Sequence, residues 1–232
     1  PKGRVHTCCC AVPGAWHVMG VTQAAGLSLQ WFRNNFCQDY IEAAKRQGID
    51  AYDLINMDVA AIPAGSERLI YLPYLMGERT PHLDPDCRGV FFGLSAIHTR
   101  AHMLRAVMEG VSYSLCDCND ILKEMGVHVS QMMACGGGGR SPVWRQMLAD
   151  LYDCQVKTVH QSEGPALGAA ILAGVGCGLY ESVESACRRL ISEDKSASPV
   201  KEQTETYKAY HALYQELYGQ LKGCYKTLAG LK

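Results

Sequence analysis

The sequence predicts an α/β fold, and three observations carry that prediction. Short apolar or alternating blocks interleave with segments whose apolar residues recur every three or four positions, so strand and helix periods follow one another along the chain. Two of the changes from strand to helix period fall on small residues, at Ala24, Ala25 and Gly26 and again at the four consecutive glycines Gly136 to Gly139. Finally, 232 residues that are 48% hydrophobic can bury a substantial core.

Taken in order, "WHVMGVT" (16–22) reads as a strand, and the following "QAAGLSLQWFRNNF" gives Leu27 and Trp31 a helical period. Further helices are expected over 39–47 and 52–57. Pro63 and Gly65 break the pattern before a strand in "LIYL". The charged "MGERTPHLDPDCRG", with Pro81 and Pro85, reads as a loop, and "VFFGL" as a short strand or turn. From 99 to 125, Leu104, Val107, Met108, Val111, Leu115, Cys118 and Leu122 recur at helical spacing, and Gly126 supplies a stop. "VSQMMAC" is a strand that feeds the glycine run, which reads as a turn. Pro142 suits the first position of a helix reaching Tyr152. "QVKTV" is another strand, and 164–176 a helix whose Ala and Gly content permits close packing. In the tail, Tyr207, Tyr210, Tyr214, Leu217, Leu221, Cys224 and Leu228 form one seam over about three heptads. Such a short seam more often packs a terminal helix on its own domain. A homodimer through it is the alternative.

Charge narrows the partners. With 22 basic and 23 acidic residues and no long run of one sign, the electrostatic footprint of a nucleic-acid binder is missing. Apolar stretches end well short of the roughly 18 to 20 residues that cross a bilayer, so no membrane partner is expected. Among the twelve cysteines, "TCCC" and "CDC" are the densest clusters, but neither has zinc-site spacing and there is no C-x-x-C pair. They read as reduced, small core hydrophobes, which favours a cytoplasmic protein with no metal ligands of its own. The chain begins at Pro1, without an initiator Met or a signal-like apolar segment, and is expected to be a piece of something longer.

The glycine run fits neither common nucleotide fingerprint. A P-loop needs Lys after its glycines, and here Arg140 and Ser141 follow; a dinucleotide loop needs G-x-G-x-x-G, and Ser141 stands where the third glycine belongs. What remains is physical. A strand, a glycine turn and a helix N-terminus offer N–H groups to an anion or let a flat base lie on bare backbone, while the alternative is a tight turn that only packs. The second small-residue junction at Gly26, with the amide of Gln30 one turn on, favours a nucleotide held between the two.

Four stretches, in order, then resemble one family. "GVFFGLSAIHTRAHMLRAVMEG" is similar to the C-terminal signature of the FGGY carbohydrate kinases, with Gly89, Phe91, Gly93, Leu94, His102, Ala106, Val107 and Glu109 in its slots. "YLMGERTPHLDPDCRG", "GGGGRSPVWRQMLADLY" and "EGPALGAAILAGVGCGLY" resemble the sections of the branch that acts on D-xylulose. The resemblance implies an actin-like, ribonuclease-H-like ATPase domain, a mixed sheet flanked by helices. It makes residues 1–232 the C-terminal, nucleotide-binding half of an enzyme that moves the ATP γ-phosphoryl group, with Mg²⁺, to the 5-hydroxyl of a pentulose. The partners it implies are ATP, that sugar and an N-terminal sugar-binding domain outside this chain. By the same resemblance Gly26 and Gln30 contact the nucleotide, and Gly137 and Gly138 lie against the nucleoside.

Two departures bound the transfer. Pro142 stands where glycerol kinases carry an adenine-holding Asn, and the family's general base, an Asp in a "GD" motif, would lie upstream of Pro1, so no catalytic residue is expected here and the chain alone should not phosphorylate sugar. Glu78, Arg79, Asp84 and Asp86 are expected to face a neighbouring domain, and Glu109 to be a structural or hinge hydrogen-bonding group. Competing readings are a related kinase for ribulose, gluconate or fuculose, and a non-catalytic actin-like nucleotide-binding module. A protein that only self-associates through the tyrosine seam is the third.

Overall fold

The computed structural model describes residues 3–161 and 164–231. Strands β1 (His6–Cys9) and β2 (Trp16–Met19) form an antiparallel hairpin with Cys9 opposite Trp16. Most of its side chains are exposed, which is why β1 gave no apolar signal. Helices α1 (Ala25–Phe36), α2 (Gln38–Gln47) and α3 (Ala51–Ala60) follow. Gly48 ends α2 in the left-handed region, and Asp50 with Asp53 closes a capping box that starts α3.

Strands β3 (Ile70–Leu72) and β4 (Val90–Phe92) pair antiparallel beneath α4 (Arg100–Glu124). Helix α4 is buried on nearly every side from Leu104 to Asn119 and is the axis of the molecule. The remaining sheet is mixed: β5 (Gln131–Met133) runs parallel to β6 (Gln155–Val159), and β7 (Glu193–Ala197) antiparallel to it. Between β5 and β6 lie α5 (Gly136–Arg140) and α6 (Pro142–Tyr152); α7 (Pro165–Gly176) and α8 (Val183–Leu190) separate β6 from β7. One continuous apolar core joins α1, α3, β3, α4, α6 and the terminal helix α9 (Lys201–Ala229).

Several expectations need correction. The glycine run closes one helical turn, α5, because Gly137 O accepts from the Ser141 amide and carries the chain into α6. Helix α8 and strand β7 were not predicted; β7 reads "EDKSA", four of its five side chains are exposed, and pairing with β6 alone makes it a strand. Helix α7 is largely exposed, and its close packing is confined to places such as Gly174, which lies against Tyr180. Only Cys37, Cys87, Cys116, Cys118 and Cys154 are buried, whereas Cys8, Cys9, Cys135, Cys177 and Cys224 are exposed; all twelve are free. The tail seam packs inward through Tyr207, Tyr214 and Leu217, while Cys224 and Leu228 point to solvent. No helix among the described residues is long and apolar enough to cross a membrane.

The charged loop also behaves differently from its composition. Glu78, 4% exposed, accepts from the Thr22 and Ser114 hydroxyls and the amides of Gln23 and Arg79; burial raises its carboxyl above the usual range against those donors. Asp84 accepts from the Tyr218 hydroxyl and the Asp86 amide. These two acids tie the loop to α4 and α9 instead of facing a neighbour, and only Arg79 among the four is fully exposed. Glu109 has the structural role expected of it. Its buried carboxylate accepts from the Gly65 amide, Ser66 Oγ, Arg105 Nε and the Tyr207 hydroxyl.

Candidate functional site

The start of α1, the start of α3 and the β5–α5–α6 segment surround a cavity of about 690 Å³. Gly26, Gly137 and Gly138 line it together with Tyr52, Asn56 and Arg140, so the two glycine junctions do meet across one space. Gln30 lies one turn farther along α1, exposed and outside the lining.

The four glycines divide into three tasks. Gly136 has φ +70°, a left-handed conformation that costs an ordinary side chain about 1 kcal/mol or more. Gly139 packs, since a Cβ there would stand 2.5 Å from Ala134 O, with no space to form. Gly137 and Gly138 have room: a Cβ at Gly137 would meet nothing within 4 Å, and one at Gly138 would sit at ordinary contact, 3.6 Å, from the Trp144 ring. Their missing side chains therefore leave open surface on the cavity side. Trp144 forms the layer beneath, held by its Nε1 donating to Ser112 Oγ at 2.8 Å.

Behind this wall the backbone is fixed. Ser141 Oγ caps α6 by accepting from the Trp144 amide and donates to Asn56 Oδ1 at 2.7 Å, which joins α6 to α3 across the cavity. Arg145 donates to Gly139 O at 2.8 Å. Opposite, α1 is preceded at its cap position by Ala24, which has no side chain able to cap, and carries no acidic residue in its first turn. Its first N–H groups are thus free to bind an anion. A side-chain cap is one signal that sequence reasoning missed at this site, because Ser141 follows the glycines directly. Asn56 and Arg140 were missed too: Asn56 lies far from them in sequence, and Arg140 was noticed only for not being a P-loop Lys.

An apolar-floored cavity with bare backbone on one wall and uncapped N–H groups on another suits a nucleotide base and its phosphates. Mg²⁺ arrives on such phosphates and keeps much of its water. The carboxylates among the described lining residues are Asp50 and Asp53, and both accept within the α3 capping box, so the described lining presents no prepared cage for the ion.

Known proteins resemble this chain along nearly its whole length. Residues 2–177 match the model of the FGGY family of carbohydrate kinases, C-terminal domain. The chain is 37% identical over 221 residues to the xylulose kinase of Bacillus subtilis (strain 168), covering 95% of this chain and 42% of that protein. It is 35% identical over 229 residues to the gluconokinase of the same organism, covering 98% of this chain and 44% of that one. The solved structure of ligand-bound xylulose kinase from Lactobacillus acidophilus superposes with a TM-score of 0.82 at 27% identity over 98% of this chain and 44% of the other. The chain thus spans less than half the length of these relatives, and its mixed helix and sheet share their actin-like ATPase fold. With the family model matched over most of its length, the chain belongs to the FGGY family of carbohydrate kinases.

Proposed function

We propose that residues 1–232 are the nucleotide-side, C-terminal domain of a kinase that transfers the ATP γ-phosphoryl group to D-xylulose, giving D-xylulose 5-phosphate. The observation that carries the nucleotide assignment is the cavity in which Gly26 of α1 faces Gly137 and Gly138 across open space. In this reading the bare backbone of Gly137 and Gly138 takes the nucleoside and the first turn of α1 takes phosphate oxygens; Gln30 reaches the ligand only from the rim. Arg140 adds a cation at the same cavity, favourable to phosphate. Mg²⁺, when bound, neutralises charge developing on the phosphates; orienting the attacking hydroxyl falls to residues outside the cavity described here. The relatives extend well beyond this chain, so turnover belongs to the whole protein, together with the rest of the sugar site.

The sugar assignment rests on the relatives, and a gluconokinase match of nearly equal identity favours a second reading, gluconate. Titration calorimetry of Mg-ADP into the wild type and Gly138→Trp tests the nucleotide wall. Saturable binding that the indole abolishes supports it, and equal binding by both proteins refutes it. Initial rates of the full-length enzyme with D-xylulose and with gluconate decide the sugar, the preferred substrate being the one with the higher kcat/KM.

A further inference from the structure

Away from the nucleotide cavity, one cluster among the described residues brings three different metal-ligating side chains together. Cys116 and Asp120 stand four residues apart on α4 and therefore share a face, and His211 meets them from α9. Their ligand atoms all lie within 4.8 Å of one another; Cys116 and His211 are buried and Asp120 is half-buried.

The histidine is already oriented. Its Nε2 is 2.8 Å from Oδ1 of buried Asp117, an oxygen that also accepts from the Gln215 amide at 2.7 Å, and its ring stacks on Tyr113 and Tyr214. When Nε2 donates its proton to Asp117, Nδ1 is left with a lone pair, and it stands 4.0 Å from Asp120 Oδ2. Two electron-rich atoms facing each other at that separation, beside a sulfur, are complementary to a cation between them. A carboxylate that fixes the second nitrogen of a ligating histidine is the recurrent support of zinc sites.

We propose that Cys116, Asp120 and His211 form a zinc site, completed by water, that fastens α9 to α4. The mixed sulfur, nitrogen and oxygen set selects Zn²⁺ over Mg²⁺, which prefers oxygen alone. Bonds of about 2.0 to 2.3 Å around a tetrahedral ion place ligand atoms roughly 3.3 to 3.7 Å apart, so the cluster closes by about an ångström. Half-exposed Asp120 has the freedom to make that movement. The Cys116 thiol donates to Leu151 O at 3.9 Å. Binding forms the sulfur–zinc bond and releases that proton to solvent. His211 lies beyond residues 2–177, so the site depends on the tail outside the family match.

The test uses protein in which the clustered "TCCC" thiols, two exposed and one half-buried, are removed (Cys8→Ser, Cys9→Ser, Cys10→Ser), stripped with chelator and dialysed against Zn²⁺. One retained equivalent and a raised Tm are expected. Asp120→Asn and Cys116→Ser should each weaken binding by at least about tenfold, as should Asp117→Asn, which touches no metal but frees the ring. Co²⁺ in place of Zn²⁺ should give a thiolate charge-transfer band that Cys116→Ser removes. Failure of the background protein to retain zinc overturns the proposal, and so does unchanged affinity in Asp120→Asn, whose half-exposed side chain can be altered without opening the core.

Discussion

Replacing Glu109 with Gln isolates a buried charge with almost no change of shape. The carboxylate is 1% exposed, and Oε1 alone accepts from the Gly65 amide at 3.0 Å, Arg105 Nε at 2.8 Å and the Tyr207 hydroxyl at 3.0 Å. A Gln carbonyl in that position keeps these three bonds, and its NH₂ faces Ser66 Oγ, which can rotate from donor to acceptor. What disappears is the counter-charge of Arg105, whose guanidinium retains only neutral acceptors, the Gln carbonyl, Val59 O, Ile62 O and the Tyr207 hydroxyl. Breaking a buried pair by removing one partner costs about 3 to 5 kcal/mol. With the hydrogen bonds preserved, the Gln variant belongs at the lower end, about 3 kcal/mol. Glu109→Ala, which also orphans the donors, should lose more. Urea denaturation reads both as a fall in midpoint at constant slope. Burial pushes the Glu109 carboxyl up while Arg105 opposes it. A loss under about 1 kcal/mol for Glu109→Gln would mean that the group is already neutral in the native protein, and the ion-pair argument would fail. If Glu109 is structural, Mg-ADP affinity of the folded variant stays unchanged.

Three further substitutions test the packing and the pH response. Gly139→Ala should cost about 1 to 3 kcal/mol in thermal or urea melts, since its Cβ meets Ala134 O at 2.5 Å, while Gly137→Ala, which meets nothing within 4 Å, should melt within about 1 kcal/mol of wild type. Tyr218→Phe removes a donor to Asp84. Burial pushes that carboxyl up, but the Asp86 amide, the Tyr218 hydroxyl, the Cys87 amide and the charge of Lys222 together outweigh it and hold the group below its ordinary 3.8. A depressed folded pKa stabilises above the unfolded value and loses that contribution as pH falls through the folded one. The variant should therefore be less stable by about 1.5 to 3 kcal/mol at pH 7, with the gap to wild type closing below pH about 4. A gap that stays constant across that range would show that Asp84 is not the group involved.

Legibility in the sequence followed burial. Helix α4 was readable because its apolar residues keep a period, β6 because its Val and Thr residues favour a strand, and α6 because Pro142 starts it; β1 and β7 were not, because their side chains face solvent and strand pairing makes them, and α8 begins at a local capping box, Ser182 with Ser185, that carries no apolar signal. The inward turn of Glu78 and Asp84 was hidden for the opposite reason. Charges read as solvated unless their donors are known, and the donors Thr22, Ser114 and Tyr218 come from the β2–α1 loop, α4 and α9. At the site, the glycine run announced itself, but its division of labour did not, since only the fold shows that Gly139 packs while Gly137 faces space. The Cys116, Asp120 and His211 cluster has no signature spacing at all, because α9 supplies one ligand from far along the chain.

The same division explains why relatives acting on different sugars resemble this chain about equally. On the proposed reading the cavity takes its ligand on the backbone of Gly137 and Gly138 and the N–H groups of α1, surfaces that carry no side chain matched to one sugar or another. It suits the component common to all these kinases, the nucleotide. On the proposed reading, identities of 37% to a xylulose kinase and 35% to a gluconokinase are what a shared nucleotide half should give. Discrimination between a pentulose and gluconate requires polar groups matched to particular hydroxyls or to a carboxylate. On the proposed reading those groups lie mainly outside the cavity, so substitutions at Gly138 should alter nucleotide affinity for either sugar alike and leave the ratio of kcat/KM between the two sugars unchanged. A full-length Gly138→Ala enzyme whose preference shifted from one sugar to the other would place this wall in the sugar site and overturn the assignment.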